Sequence, residues 1–347
     1  MAACRREPVD RPPVWIMRQA GRYMASYQAL RQRAPFMEIC RRPELALEAT
    51  LMPVEQLGVD AAILFSDILV PLEPMGLAVH FGEAGPEVER VRSAEAVAAL
   101  RTDVVDELAF VFEAVRQIKA ALQARSPEAP LPLLGFSGAP LTLATYAVEG
   151  GTTRNKHALR KLIWDAPEVL HALLRKLTEV VTPYCIAQID AGADAIQLFD
   201  TWGGSLTEAE WRVFSMPYTN EVFQRVRAAR PGVPLIHYAL EAAHLVPALG
   251  ELSCDVLSVD WREPLSVVRA KTGGRYAHQG NVDPGVMVAS DAAIRRAVAM
   301  CLDDFGAVPG HIVNLGHGIT PDASVAAAQA FVAAAQEHGA RLWGGRG

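Results

Sequence analysis

Gly192-Ala-Asp-Ala-Ile-Gln-Leu-Phe199 runs directly into Asp200-Thr-Trp-Gly-Gly204, and this stretch decides the fold. A glycine, an aspartate and a short apolar run together describe a chain that leaves a helix, turns and starts a strand buried on both faces. The same order recurs in Gly58-Val-Asp-Ala-Ala-Ile-Leu-Phe65 and, with cysteine in place of glycine, in Cys254-Asp-Val-Leu-Ser-Val259. An echo of this kind points to one repeated βα unit.

Working outward, short apolar runs suggest strands at Pro13–Met17, Ala61–Phe65, Leu131–Phe136, Ala195–Phe199, Pro234–Tyr238, Val256–Val259, Arg275–Gln279 and Ile312–Leu315. Segments with apolar residues at helical spacing lie among them, at Ala94–Ala124, Pro167–Ala191, Thr207–Ala229 and Ser324–His338. Repeated β-then-α order demands a parallel sheet with right-handed crossovers. Eight such units in 347 residues predict a single, distorted (β/α)8 TIM-type barrel of class α/β. With no interior linker, one domain is expected over residues 1–347, residues 1–12 forming an N-terminal arm and 340–347 a flexible tail. A dinucleotide-binding fold is the main rival, but no Gly-x-Gly-x-x-Gly follows an early strand.

Composition narrows the function. Hydrophobic residues make up 51% and charged residues 21%, as in a globular chain with a large core. No apolar run approaches the length of a membrane span and no secretory signal opens the chain, so a soluble, cytoplasmic protein without a membrane partner is expected. The five cysteines are scattered and never in a Cys-x-x-Cys pair, which suggests neither a disulfide framework nor a zinc cluster.

The charge of −6 is unevenly distributed. Residues 1–50 hold nine arginines, no lysine and five acids, which leaves that segment at +4 and the remainder at −10. Guanidinium groups suit planar carboxylates or phosphates, because they offer paired donors and stay charged. Arg31, Arg33, Arg41 and Arg42 read better as a solvated basic face. Nucleic acid is not an expected partner, since the chain as a whole is acidic and lacks a basic stripe interleaved with aromatics.

A barrel's active site lies where strands run out into βα loops. The polar residues there are Ser66-Asp67, Ser137-Gly138, Asp200-Thr201, His237-Tyr238, Asp260-Trp261, Gly280-Asn281 and Gly316-His317-Gly318. A lone aspartate after a strand serves equally well as a cap for the next helix.

At this point seven motifs acquire a common meaning. They are Met17-Arg-Gln-Ala-Gly-Arg-Tyr23, Phe65-Ser-Asp-Ile-Leu69, Gly135-Phe-Ser-Gly-Ala-Pro-Leu-Thr142, Tyr146-Ala-Val-Glu-Gly-Gly151, Phe199-Asp-Thr-Trp-Gly-Gly204, Gln279-Gly-Asn-Val-Asp-Pro284 and Asn314-Leu-Gly-His-Gly-Ile319. In order and from end to end, they resemble the uroporphyrinogen decarboxylase family. That resemblance implies a homodimeric barrel with a deep cleft at the C-terminal face of its strands, and no metal or organic cofactor. It implies as substrate uroporphyrinogen III, an octacarboxylate tetrapyrrole whose four acetates are trimmed to methyls on the route to haem, giving coproporphyrinogen III and CO2. It makes Arg18, Gln19, Ala20, Gly21 and Arg22 a substrate-binding loop and lines the cleft with Asp67, Tyr146, Thr201 and His317.

Chemistry gives these residues plausible tasks. The apolar run before Arg18, and Gly21 after it, favour a strand leading into a loop from which Arg18 and Arg22 reach one ligand. Each charge-assisted hydrogen bond contributes roughly 1.5–3 kcal/mol, enough for two arginines to orient a polycarboxylate. A carboxylate such as Asp67 is acceptor-only and can gather several pyrrole N–H groups. Arg18, Arg22 and Asp67 are therefore the catalytic candidates. Arginine is a poor acid at neutral pH, whereas His317 and Tyr146 are ordinary proton carriers. Tyr146 alone would read as core packing, and Gly150-Gly151 as a mobile rim loop.

Two rivals fail on residues. A zinc-dependent methyltransferase with the same barrel needs a His-x-Cys pair, but the corresponding stretch is His237-Tyr238-Ala239. A tetrapyrrole carrier would not need both Asp67 and His317.

Overall fold

The computed structural model describes residues 1–82 and 85–344. Its strands are β1 (Ala62–Ile63), β2 (Val79–Gly82), β3 (Gly85–Val88), β4 (Leu133–Gly138), β5 (Ala195–Asp200), β6 (Leu235–Ala239), β7 (Val256–Val259), β8 (Ala277–Val282) and β9 (His311–Leu315). Seven of them form one parallel sheet in the order β1-β4-β5-β6-β7-β8-β9, so each main strand pairs with the next along the chain. Helices follow or separate these strands, as at Pro140–Glu149 and Pro167–Ala191. Every residue of β4, β5, β6, β7 and β9 is buried, including polar ones such as Gln197, Asp200 and His237, so these strands read as mainly apolar runs rather than alternating ones.

The eighth stave differs from expectation. Pro13–Met17 is not a strand: Val14 alone forms a parallel bridge, to Val313 of β9. Pro12 and Pro13 bring no backbone N–H to a ladder, and the Gln19 N–H already turns back to the Ile16 carbonyl. Side chains make up the difference. Asp60 accepts the Val14 N–H at 2.9 Å and both Arg11 donors, and Asn314 Oδ1 accepts the Met17 N–H at 2.9 Å. The Asp60 N–H meets the Val14 carbonyl on the other side at 2.8 Å, which completes the ring.

The Gly-Asp echo has a shared structural cause. Asp60, Asp194 and Asp255 each accept the backbone N–H at the start of the preceding stave, from Val14, Leu133 and Leu235 respectively, at 2.7–2.9 Å. Each also pairs with a basic side chain, Arg11, Lys119 or Arg227. The repeat is thus a clamp at the N-terminal end of the barrel.

Three further differences concern function less. The antiparallel pair β2–β3 was not anticipated, because Gly-Pro at its second strand hides the pattern. The helix expected over Thr207–Ala229 is two helices, Glu208–Phe214 and Met216–Ala229, divided at Ser215 with Pro217 in the first turn of the second. Residues 340–344 are not a tail but the last turn of the helix Val325–Gly344, while 345–347 lie outside the described residues. In the arm, Ala3 and Cys4 are buried and Arg6 donates to the Gly274 carbonyl.

Candidate active site

The loop after Val14 is fixed by its own backbone. The Ile319 N–H donates to the Met17 carbonyl, and the Tyr23 hydroxyl donates to the Gln19 carbonyl at 2.6 Å. Arg18 adopts φ +62°, a left-handed conformation costly for a side-chain-bearing residue, and its aliphatic stem lies across Gly318. A Cβ on Gly318 would sit 2.3 Å from Arg18 Cδ, so the Gly-His-Gly motif leaves room for the arginine.

Most of the N-terminal arginines are spoken for. Arg11, Arg33, Arg41 and Arg42 sit in ion pairs, and Arg6 and Arg31 reach backbone carbonyls. Arg18 and Arg22 are exposed and carry no side-chain hydrogen bond or ion pair. The charge of Arg18 bears on Asp67, Tyr146 and His317 at once, which places it among them. Arg22 instead bears on Tyr27, whose ring packs 5.5 Å from that of Phe65. Gln19 is not turned towards a ligand: its amide is committed to the Ala61 carbonyl and the Ile16 N–H. Gly21 packs against the Arg18 carbonyl, and Ala20 is half-buried.

Asp67 follows β1, whose end is marked where Thr50 Oγ1 accepts the Phe65 N–H. One carboxylate oxygen accepts the Leu69 N–H at 2.8 Å; the other has no protein partner. The residue keeps some solvent contact at the cleft, yet protein surrounds its carboxyl closely. Desolvation pushes the pKa up to about 6, against the opposing pull of the Leu69 N–H and Arg18.

Tyr146 lies on the helix Pro140–Glu149, its ring 5.9 Å from that of Trp202. Burial raises its pKa, and Asp67 adds to this while Thr152 and Arg18 oppose it. Thr201 begins the loop after β5, half-buried beside Trp202. That loop is shaped by Asp200, which is fully buried and accepts from Trp211 Nε1 at 3.0 Å, Ser215 Oγ at 2.7 Å and Thr142 Oγ1 at 3.2 Å. Asp200 is therefore neither a helix cap nor exposed to a ligand. At Gly204 a Cβ would stand 2.1 Å from the Leu240 carbonyl, which explains the Trp-Gly-Gly sequence.

His317 closes the circle. Its Nδ1 is 2.8 Å from the Tyr238 hydroxyl and the two rings stack at 11°, while Nε2 has no protein partner. Burial, with Arg18 and Arg262 adding to it, holds the imidazole pKa down to about 4, so the ring is neutral at physiological pH.

Sequence reading missed three residues here. Tyr238 is one. Arg262 is another, paired with Asp260 and Glu241. The third is Lys156, a buried cation at φ +48° whose ammonium stands 4.1 Å over the Trp202 ring without an ion-pair partner. Tyr238 was visible at a strand end, but nothing in its neighbours foretold its contact with His317. For Lys156 there was no signal.

A zinc site does not fit. Ala239 stands two residues after β6's Ile236–His237 step, and both His237 nitrogens are buried without a hydrogen-bond partner, Nε2 lying 3.8 Å from Asp200. Among the described residues no three His, Cys, Asp or Glu side chains converge to hold a metal. No helix among them is long and apolar enough to cross a membrane.

Comparison with known proteins gives the family. The family model described as uroporphyrinogen decarboxylase (URO-D) matches residues 1–338. The uroporphyrinogen decarboxylase of Alcanivorax borkumensis is 44% identical over 344 residues, covering 97% of this chain and 96% of its own. That of Thioalkalivibrio sulfidiphilus is 46% identical over 327 residues, covering 92% of each. Among solved structures, a methyltransferase from Methanosarcina mazei superposes with a TM-score of 0.75 at 21% identity over 97% of this chain and 96% of that one, a likeness of fold alone. With the family model matching residues 1–338 and relatives 44–46% identical over more than nine-tenths of its length, the chain belongs to the uroporphyrinogen decarboxylase family.

Proposed function

We propose that this chain is a carboxy-lyase that converts uroporphyrinogen III to coproporphyrinogen III and four CO2, with Asp67 as its central residue. The observation that carries the residue-level reading is the grouping of Asp67, Arg18, Tyr146 and His317, from the loops and the helix that follow the staves, with one carboxylate oxygen of Asp67 free of protein partners.

The free oxygen of Asp67 accepts the pyrrole N–H groups that a puckered porphyrinogen turns to one side, and so fixes the ring. Each cycle then protonates a pyrrole carbon beside an acetate. The C–CO2 bond breaks, its electron pair flows into the cationic ring, and the resulting exocyclic methylene takes up a proton to become methyl while the ring carbon gives back the proton it first received, restoring the pyrrole. The net change is acetate plus one proton giving methyl plus CO2.

Because the transition state is cationic on the ring, a carboxylate about 4 Å away stabilises it by roughly 4 kcal/mol at an effective dielectric near 20. That is on the order of three decades of rate. No metal or organic cofactor is needed, since the pyrrole itself is the electron sink.

Arg18 and Arg22 hold peripheral carboxylates. An arginine gripping the departing carboxylate would stabilise the ground state and oppose reaction, so they serve orientation. Tyr146, Thr201 and His317 take further carboxylates, and the buried ammonium of Lys156 suits the same task. The loop Gln19–Gly21 contributes chiefly its backbone shape. The active unit is a homodimer in the cytoplasm, and the five unpaired cysteines, four of them buried, suit a reducing compartment.

Anaerobic incubation with uroporphyrinogen III tests the reading, with the products resolved by number of carboxylates after oxidation. Stepwise conversion to the four-carboxylate product is expected, with Asp67→Asn slower by about 10³-fold. Binding without conversion by the folded wild type would replace enzyme by carrier.

A further inference from the structure

We infer that Tyr238 is a positioning residue for His317: its hydroxyl keeps the imidazole proton on Nδ1 and leaves Nε2 unprotonated towards the cleft. Binding of a carboxylate-bearing substrate then draws one proton from solvent onto His317.

The Tyr238 hydroxyl lies 3.1 Å from the Gly316 carbonyl and 2.8 Å from His317 Nδ1. A phenol has one proton and a carbonyl only accepts. Both contacts are hydrogen bonds in one arrangement only, with the phenol donating to Gly316 and Nδ1–H donating to the phenol oxygen. The reverse would set two lone-pair oxygens 3.1 Å apart where Tyr238 is fully buried, leaving the carbonyl unsatisfied. Tyr238 cannot evade this by ionising, since burial pushes its pKa well up.

The pair is also held rigidly. Tyr238 sits in β6, wedged 5.6 Å from the Phe199 ring and stacked on His317. The charged groups that face the pair are Arg18 and Arg262, together with Asp260 and Glu241 on the Tyr238 side. With the cleft empty, the two cations and burial keep His317 neutral.

Neutral His317 in this tautomer presents a lone pair to the cleft, where an incoming carboxylate would meet lone pair against lone pair. Protonation at Nε2 turns that repulsion into a charge-assisted donor bond, and the Nδ1–H bond to Tyr238 persists throughout. The ring need not turn over. A proton is thereby stored beside a reaction that consumes one per acetate.

Nitrogen-15 NMR of histidine-labelled enzyme at pH 7.5, with His317→Asn for assignment, reads the tautomer without substrate. The wild type should show a protonated Nδ1 and a bare Nε2 for His317, and Tyr238→Phe a shift of the proton to Nε2. A wild-type spectrum with bare Nδ1 would overturn the inference. The second half rests on the cleft being the porphyrinogen site. It is read by calorimetric binding of uroporphyrin III, the air-stable oxidised form of the substrate, in buffers of different ionisation enthalpy.

About one more proton per site should be taken up by wild type than by Tyr238→Phe, whose neutral Nε2–H can already donate. Equal uptake by the two would defeat the proton-drawing role. If neither bound uroporphyrin III, the reading of the cleft itself would fail, while the spectrum would still decide the tautomer.

Discussion

Asp67 costs the fold something that its chemistry needs. A carboxyl raised from 3.8 to about 6 is charged in the unfolded chain, yet still largely protonated in the folded one, between those two values. Across that window the folded state binds more protons than the unfolded, so stability falls as pH rises from about 4 to about 6 and stays lower above it. Asp67→Asn should therefore be more stable than wild type at pH 7.5, by about 1–3 kcal/mol after allowing for the carboxyl's contact with the cleft. The gain should shrink by roughly half at pH 5, as urea unfolding at the two pH values will show. An Asn variant that was less stable at pH 7.5 would mean that the native carboxylate is better solvated than its surroundings indicate. At this scale the sequence was informative wherever a residue acts by its own chemistry. The strand-end positions of Asp67 and His317 were legible from the order of residues, whereas their expected grouping with Arg18 came from the family resemblance. Tyr238 and Lys156 were not legible as site residues, because their importance lies in what the barrel brings against them from 79 residues away and from the next loop.

Among the elements, the Asp clamps are the clearest case of a pattern whose meaning only the structure supplies. The echo was readable as the start of a strand, but the partner N–H belongs to the preceding stave, 46, 61 and 20 residues away for Asp60, Asp194 and Asp255. Asp194→Asn keeps the shape and removes the charge from the bonds to Leu133 and Lys119. It should lower stability by about 2 kcal/mol, a typical value for a hydrogen bond to a charged group. The clamp sits at the end of the barrel away from the cleft, so kcat should change less than about twofold. A large loss of kcat in a well-folded variant would contradict that separation of roles. The buried strands β4 to β7 were found within two residues because burial on both faces keeps them mainly apolar, with few polar positions such as Gln197 and Ser258. The first stave was overcalled, because apolarity in Val14–Met17 reflects packing against β9 and the neighbouring loop rather than ladder formation.

For the molecule as a whole, the expected assembly is a dimer, and sedimentation should give twice the chain's 37.5 kDa; a monomeric mass with full activity would show that one barrel suffices. The architecture was legible because βα alternation permits few topologies, whereas the β2–β3 excursion was not, being short and bonded to the end of the Tyr146 helix through the Val88 N–H and the Gly150 carbonyl. The closure at Val14 also has a kinetic side. A ring of staves joined by one bridge has a seam, and local opening takes place where the fewest backbone bonds must break together. The amides of Trp15, Val313 and Ile319 hold that seam, and the last of them fixes the loop that carries Arg18. In hydrogen exchange they should exchange faster than the ladder between β5 and β6 in the free protein, and slow when uroporphyrin III bridges Arg18 to the opposite wall. The ligand would then act as the barrel's missing rungs, and its departure would loosen the arginine that must release it.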